Sequence, residues 1–160
     1  MAINIGDKIP DSSLRQKTSD GINPVTTNEL FSGKKVVLFA VPGAFTPGCS
    51  VKHLPGYVKH SESIKDKGVD VIVCMAVNDP HVMEAWGRDQ NVGDKVMMLA
   101  DGSAEFAKEL GLDQDLNKAG MGVRSKRFAM IVDDSTVTEL LVDEPGQINL
   151  STAENILEKL

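Results

Sequence analysis

The sequence predicts an α/β domain with a mixed central sheet covered on both faces. Three observations carry this. Residues 36–41 and 69–77 are apolar runs of the kind seen in strands buried on both faces. Each run is followed by a helix-start signal, Thr46-Pro47 and Asp79-Pro80. Residues 128–132 and 137–142 are two further strand patterns separated only by a turn at Asp133-Asp134-Ser135.

Taken in order, Asp20-Gly21 is a turn signal between short extended segments, which predicts an N-terminal hairpin. The strand 36–41 feeds a helix with Thr46 as its cap and Pro47 as its first residue. Pro55 removes the hydrogen bond to the carbonyl of Val51, so a kink or break is expected there. After the strand 69–77, a helix runs from Asp79-Pro80 to about Asp89. Residues 96–100 form a short strand. Ser103 is expected to cap the next helix, and Gly111 to end it. Ser151 with Glu154 reads as a capping box for the last helix.

A chain of 160 residues suits one domain with one core, so residues 1–160 are read as a single unit. Hydrophobic residues make up 41% and charged residues 25%, ordinary values for a globular protein. The net charge of −6 and the scattered basic residues argue against nucleic acid as a partner and against an anionic membrane surface. No apolar run approaches the ~20 residues needed to cross a bilayer. Residues 1–7 read as neither a signal peptide nor a transit peptide, so a cytoplasmic protein is expected, with a trimmed organellar form left open. Two cysteines are too few for a disulfide scaffold, and they do not form Cys-x-x-Cys.

The most informative stretch is Pro42-Gly43-Ala44-Phe45-Thr46-Pro47-Gly48-Cys49. It places Cys49 at the third position of a helix, among N–H groups with no partner in the helix. Those groups and the helix dipole favour a thiolate, the reactive form of cysteine. On local grammar alone, Cys49 reads equally well as a reactive thiol and as a small buried hydrophobe.

Pro42, Thr46 and Cys49 match the Pro-x-x-x-Thr-x-x-Cys signature of peroxiredoxins, the thiol peroxidases. The longer string through Ser50 and His53-Leu54-Pro55-Gly56 resembles the type II, or peroxiredoxin-5, subgroup. So do Val77-Asn78-Asp79-Pro80, Leu99-Ala100-Asp101 and Arg124-Ser125-Lys126-Arg127. The resemblance runs from about Gly6 to Leu160. It implies a thioredoxin-like fold and a peroxidase acting on hydrogen peroxide and alkyl hydroperoxides. It implies no metal, haem or flavin. It assigns the nucleophile to Cys49 and the active-site cation to Arg124; Arg127 is the second candidate for that cation, or else a supporting residue. An external thiol would recycle the enzyme, glutathione with glutaredoxin or thioredoxin. Members of this kind often form homodimers, for which Phe45 and residues 78–81 are natural contacts.

The residues themselves permit such chemistry. The Thr46 hydroxyl can donate one hydrogen bond and accept others, so it can touch both sulfur and peroxide. Pro42 donates nothing and stiffens the loop, which suits a wall that screens the sulfur from water. The N–H groups of Gly43, Gly48 and Cys49 are candidate donors to peroxide oxygens. Cys74 lies mid-strand and reads first as a core thiol, second as a resolving cysteine. Cys49 and His53 share a helical face, which also suggests a Cys-His hydrolase pair or a metal site. Neighbouring helical positions rarely orient a hydrolytic base, and two ligands with a distant His60 are too few for a metal. His53 is expected to pack near the site or to modulate it mildly. Two rivals remain: a redox relay that passes its oxidation to partner proteins, and an inactive thioredoxin-like binding module.

Overall fold

The hairpin closes at Ser19-Asp20, where Gly21 takes φ 116°, a conformation L side chains rarely adopt. It joins β1 (Ser13–Thr18) to β2 (Gly21–Thr26) in antiparallel register. The computed structural model describes residues 2–160. After the hairpin come α1 (Thr27–Phe31), β3 (Lys35–Val41) and a helical segment that starts at Pro47. That segment passes through a π turn at Cys49–His53 into α2 (Leu54–Lys59), followed by α3 (Ser61–Asp66). Next are β4 (Val71–Ala76), α4 (Pro80–Asp89), β5 (Met97–Ala100) and α5 (Glu105–Leu110). The chain ends with β6 (Asp113–Leu116), β7 (Gly122–Ser125), β8 (Phe128–Asp133), β9 (Thr136–Val142) and α6 (Ala153–Lys159).

Seven strands form a mixed sheet in the order β2-β1-β5-β4-β3-β8-β9, and β6 pairs only with β7. β3, β4 and β5 run parallel, β8 pairs antiparallel with β3, and β9 pairs antiparallel with β8. This is the thioredoxin-like α/β architecture expected from the sequence. In the late hairpin, Asp134 and Ser135 have φ 47° and 67°. Left-handed residues at both positions match the strand twist of a two-residue turn.

Alternation along β3 divides the interior in two. Val37, Phe39 and Val41 point to one face, with Ile72, Cys74 and Ala76 of β4, Tyr57, Trp86 and Ile156. Val36, Leu38 and Ala40 point to the other, with Val73, Met75, Phe31, Phe106 and Leu110. Each large side chain so buried stabilises the fold by roughly 1.5–3 kcal/mol before entropy is counted. Cys49 belongs to the first face, at the carboxyl end of β3, where open parallel sheets place their sites.

Several local expectations need correction. The helix does not break at Pro55. Instead the N–H of Leu54 reaches back five residues to the carbonyl of Cys49. The π turn ends as α2 begins, and Pro55 stands at that change of spacing, which accommodates its missing N–H without ending the helix. Ser103 does not cap α5. The Asp101 carboxylate does, accepting from the N–H groups of Phe106 at 3.1 Å and Ala107 at 2.9 Å. Ser151 does not cap α6 either; Thr152 accepts from the N–H of Asn155 at 3.3 Å. Asp79 caps α4 as expected, accepting from Val82 N–H at 2.9 Å. α1 and the β6–β7 hairpin had no visible signal: one is five residues long and the other half-buried and polar.

Candidate active site

The loop after β3 is pinned from two sides. Asn78 Oδ1 accepts from Ala44 N–H at 2.9 Å, and an Arg124 amine reaches Pro42 O at 3.4 Å. Between them Phe45 is held at φ 63°, a left-handed conformation that costs a non-glycine residue about 1–2 kcal/mol. The strain turns the chain sharply enough for Thr46 and Pro47 to begin the helix. Thr46 O accepts from Ser50 N–H at 3.0 Å, so the residue stands where a cap stands. Its hydroxyl, however, turns back and donates to Gly43 O at 2.7 Å instead of forward into the helix. The hydroxyl proton is thus committed, and its lone pairs remain free to accept.

Cys49 follows in the first turn and is 0% exposed. The N–H groups of Gly48 and Cys49 precede the first intrahelical bond, so they have no carbonyl four residues back. A Cβ on Gly48 would stand 2.8 Å from Ile148 Cδ1 and 3.7 Å from Arg127 Nη2, so Ile148 packs where a side chain would be. Trp86 secures the same turn from below, its indole N–H donating to Ser50 Oγ at 3.0 Å.

The cation on the sulfur is Arg127. Its Nη2 donates to Cys49 Sγ at 3.0 Å, and its Nη1 meets His53 Nδ1 at 2.7 Å. Arg124, the first choice from the sequence, points at the loop instead. Its Nε donates to Met121 O at 2.9 Å, and its Nη1 would lie 3.1 Å from a Cβ on Gly43. Among the described residues, Arg127 forms no ion pair with a carboxylate. A guanidinium stays charged at any working pH and presents its donors in a rigid fork, here divided between sulfur and imidazole.

His53 is buried, and its ordinary value is lowered to about 4, by burial first and by the Arg127 charge second. Its other nitrogen, Nε2, lies 2.9 Å from Ser151 O, which also accepts from the Tyr57 hydroxyl at 2.7 Å. Asp143 gathers the next turn. One oxygen accepts from Asn149 and Leu150 N–H at 3.0 and 2.6 Å, the other from Ser151 N–H at 3.2 Å and from the Ser151 hydroxyl. Burial works to raise the carboxyl, but these hydrogen bonds prevail and hold it below the usual carboxylate range. The sequence offered no signal for Asp143, and for Ser151 only the capping-box reading, because their contacts are set by the turn between β9 and α6 and by the distant His53.

Cys74 is buried on β4 beside Phe39 of β3, facing the layer that holds Cys49. Burial pushes its thiol well above the ordinary value, the neighbouring Cys49 adds to this, and Arg127 opposes it. Both cysteines are free. Next to the sulfur's surroundings, a cavity of about 410 Å³ is lined by Pro42, Gly48, Lys126, Arg127 and Ile148 among others. A larger groove of about 620 Å³ between β1, α4 and β5 includes neither cysteine. Phe45, Val51 and Leu150 are large apolar side chains left exposed. No helix among the described residues is long and apolar enough to cross a membrane.

The chain is similar over nearly its whole length to known proteins. A family model described as Redoxin matches residues 4–157. Peroxiredoxin-2B of Arabidopsis thaliana is 46% identical over 159 residues, covering 99% of this chain and 98% of that protein. The chloroplastic peroxiredoxin-2E of the same plant is 47% identical over 163 residues, covering 99% of this chain and 70% of its own length. The crystal structure of reduced Prx3 from Vibrio vulnificus in complex with hydrogen peroxide has a TM-score of 0.95 and 50% identity, over 98% of each chain.

Proposed function

Since the chain belongs to the Redoxin family, and within it to the peroxiredoxins, we propose that Cys49 is the sulfur with which it attacks peroxide. The activity is that of a thiol-dependent peroxidase. One observation carries the residue assignment: the Arg127 guanidinium lies 3.0 Å from Cys49 Sγ with no carboxylate among the described residues to neutralise it. The Cys49 thiolate attacks the terminal oxygen of hydrogen peroxide or an alkyl hydroperoxide. A sulfur–oxygen bond forms and the O–O bond breaks. Its electron pair leaves on the departing oxygen, which takes a proton to become water or an alcohol. Charge develops on that oxygen, and preorganised donors act where charge develops.

Arg127 Nη2 and the unpaired N–H groups of Gly48 and Cys49 are the donors on hand. Gly43 would contribute from the other side of the loop. The Thr46 hydroxyl, donating to Gly43 O, presents lone pairs that accept the peroxide's own proton. Pro42 walls the sulfur, and Arg124 braces that wall through Pro42 O. The cavity of about 410 Å³ lined by Pro42, Gly48 and Arg127 offers a place beside the guanidinium for the organic part of a substituted hydroperoxide.

An external thiol completes the cycle. It displaces water from the sulfenic acid to give a mixed disulfide, and a second thiol releases Cys49. Glutathione with glutaredoxin, or thioredoxin, is the reductant class, because Cys74 sits mid-strand and is held as a thiol by burial. The whole chain acts as one unit in the cytoplasm. It pairs as a homodimer through the exposed Phe45 and the 78–81 segment beside it, which is supported by Phe45 being 52% exposed and aromatic.

Stopped-flow peroxide consumption by wild type, Cys49→Ser and Cys74→Ser tests the assignment. Loss of all consumption in Cys49→Ser alone supports it. Full activity in Cys49→Ser sinks it.

A further inference from the structure

Five side chains link the sulfur to the loop before α6. Cys49 Sγ accepts from Arg127, Arg127 meets His53, His53 and Tyr57 meet Ser151 O, and Ser151 is held by Asp143. We propose that His53 is a positioning residue that holds the Arg127 guanidinium on the Cys49 sulfur, with the Asp143–Ser151 turn fixing the imidazole. The inference rests on Cys49 and Arg127 acting as described above.

The chemistry of the partners dictates the tautomer. A guanidinium only donates, so His53 Nδ1, at 2.7 Å from Nη1, must present its lone pair. A carbonyl only accepts, so Nε2, at 2.9 Å from Ser151 O, must carry the proton. Both ends select the same neutral ring, and a second proton would face the arginine. The ring is also gripped by packing, with Phe39 at 5.0 Å and Tyr57 at 5.6 Å between centroids. Arg127 has no carboxylate partner among the described residues, so His53 is the acceptor that stops its fork from rotating away from the sulfur. Ser151 O would drift without its turn. Asp143 gathers three successive N–H groups and the Ser151 hydroxyl to hold it in place. Residues that orient metal ligands through one contact typically change activity about 10–100-fold, and the same scale is taken for the orientation of Arg127.

Two substitutions separate positioning from packing. His53→Asn places an amide oxygen near the Nδ1 position and keeps the acceptor for Arg127, though it fills less space. His53→Gln fills more space and can reach Ser151 O, but it offers nothing at the Nδ1 position. Positioning predicts that His53→Asn keeps peroxide attack within about threefold of wild type, while His53→Gln loses about 10–100-fold. A packing role predicts the reverse order and overturns the proposal. In an Arg127→Ala background, His53→Gln should cost nothing further; a full additional loss would show that His53 does not act through Arg127.

The unaltered protein supplies an independent readout. A ¹⁵N–¹H spectrum of the His53 ring at neutral pH should show a protonated Nε2 and a bare Nδ1. The titratable groups around that ring are Arg127, Asp143 through Ser151, Tyr57 and Cys49; burial and the Arg127 charge oppose a second proton and outweigh Asp143, which favours one. An Nδ1–H tautomer or an imidazolium overturns the proposal whatever the variants do. Activity surviving in Cys49→Ser would instead defeat the peroxidatic assignment while leaving the tautomer result intact.

Discussion

Arg127 donates to the Cys49 sulfur at 3.0 Å and has no carboxylate partner among the described residues. A guanidinium taken partly out of water without a counter-ion is costly, and a thiolate is the group in reach that repays it. The contacts to the sulfur and to the His53 ring therefore offset part of the cost of holding the arginine there.

Arg127→Ala should slow peroxide attack by about 10²–10³, the usual cost of removing one preorganised donor from a developing oxyanion. Arg127→Lys should recover little, since one ammonium cannot serve sulfur and imidazole with the same fork. Arg124→Ala should cost less, because its contacts are with Met121 O and Pro42 O. Stopped-flow kinetics on all three, with thiolate absorbance at neutral pH, gives the ranking. A larger loss in Arg124→Ala would move the active-site cation back to that residue.

Cys74→Ser should leave single-turnover oxidation of Cys49 within about twofold of wild type, while lowering stability by about 1–3 kcal/mol for an unpaired buried hydroxyl. One equivalent of peroxide should leave a sulfenic acid that a trapping reagent labels, and glutathione should convert it to a mixed disulfide. Intact-protein mass spectrometry reads both. An immediate Cys49–Cys74 disulfide with nothing to trap would show that Cys74 resolves.

Acid should destabilise the fold through His53. Its value falls from 6.5 unfolded to about 4 folded, so between those limits the unfolded chain binds more protons. Stability attributable to this group is complete above pH 6.5 and is lost as pH falls toward 4, by roughly 3 kcal/mol at 1.36 kcal/mol per unit. Urea unfolding across that range, for wild type and His53→Gln, isolates the contribution. Equal slopes in the two proteins would remove His53 as its source.

Gly48→Ala should cost under about 1.5 kcal/mol, because the clashing atom, Ile148 Cδ1 at 2.8 Å, ends a half-buried side chain that can swing. The displaced side chain narrows the cavity beside Arg127. A bulky alkyl hydroperoxide should therefore lose about tenfold, as for one methylene in a pocket, and hydrogen peroxide little. Equal losses for both substrates would place the substituent elsewhere.

What was legible in the sequence was local. Asp79-Pro80 announced α4, and the apolar run at 36–41 announced β3, because cap chemistry and burial are written in neighbouring residues. Cys49 at a helix start was legible for the same reason. Arg127 against Arg124 was not. The two lie three residues apart, and which one reaches the sulfur depends on β8 beginning at Phe128 and aligning with β3. Ser151 shows the limit most clearly. It reads locally as a helix cap, yet its partners are Asp143, eight residues back, and His53, ninety-eight residues back. Thr152 does the capping one place later.

The π turn at Cys49–His53 absorbs one residue more than a regular turn holds. Such a turn is an ordinary helix carrying one extra residue. Removing Val51 or Lys52 would let the helix close regularly, with the carbonyl of Cys49 still one turn before the N–H of Leu54. Cys49 and His53 would both remain in the chain. This segment can lose a residue in count while its two ends keep their alignment.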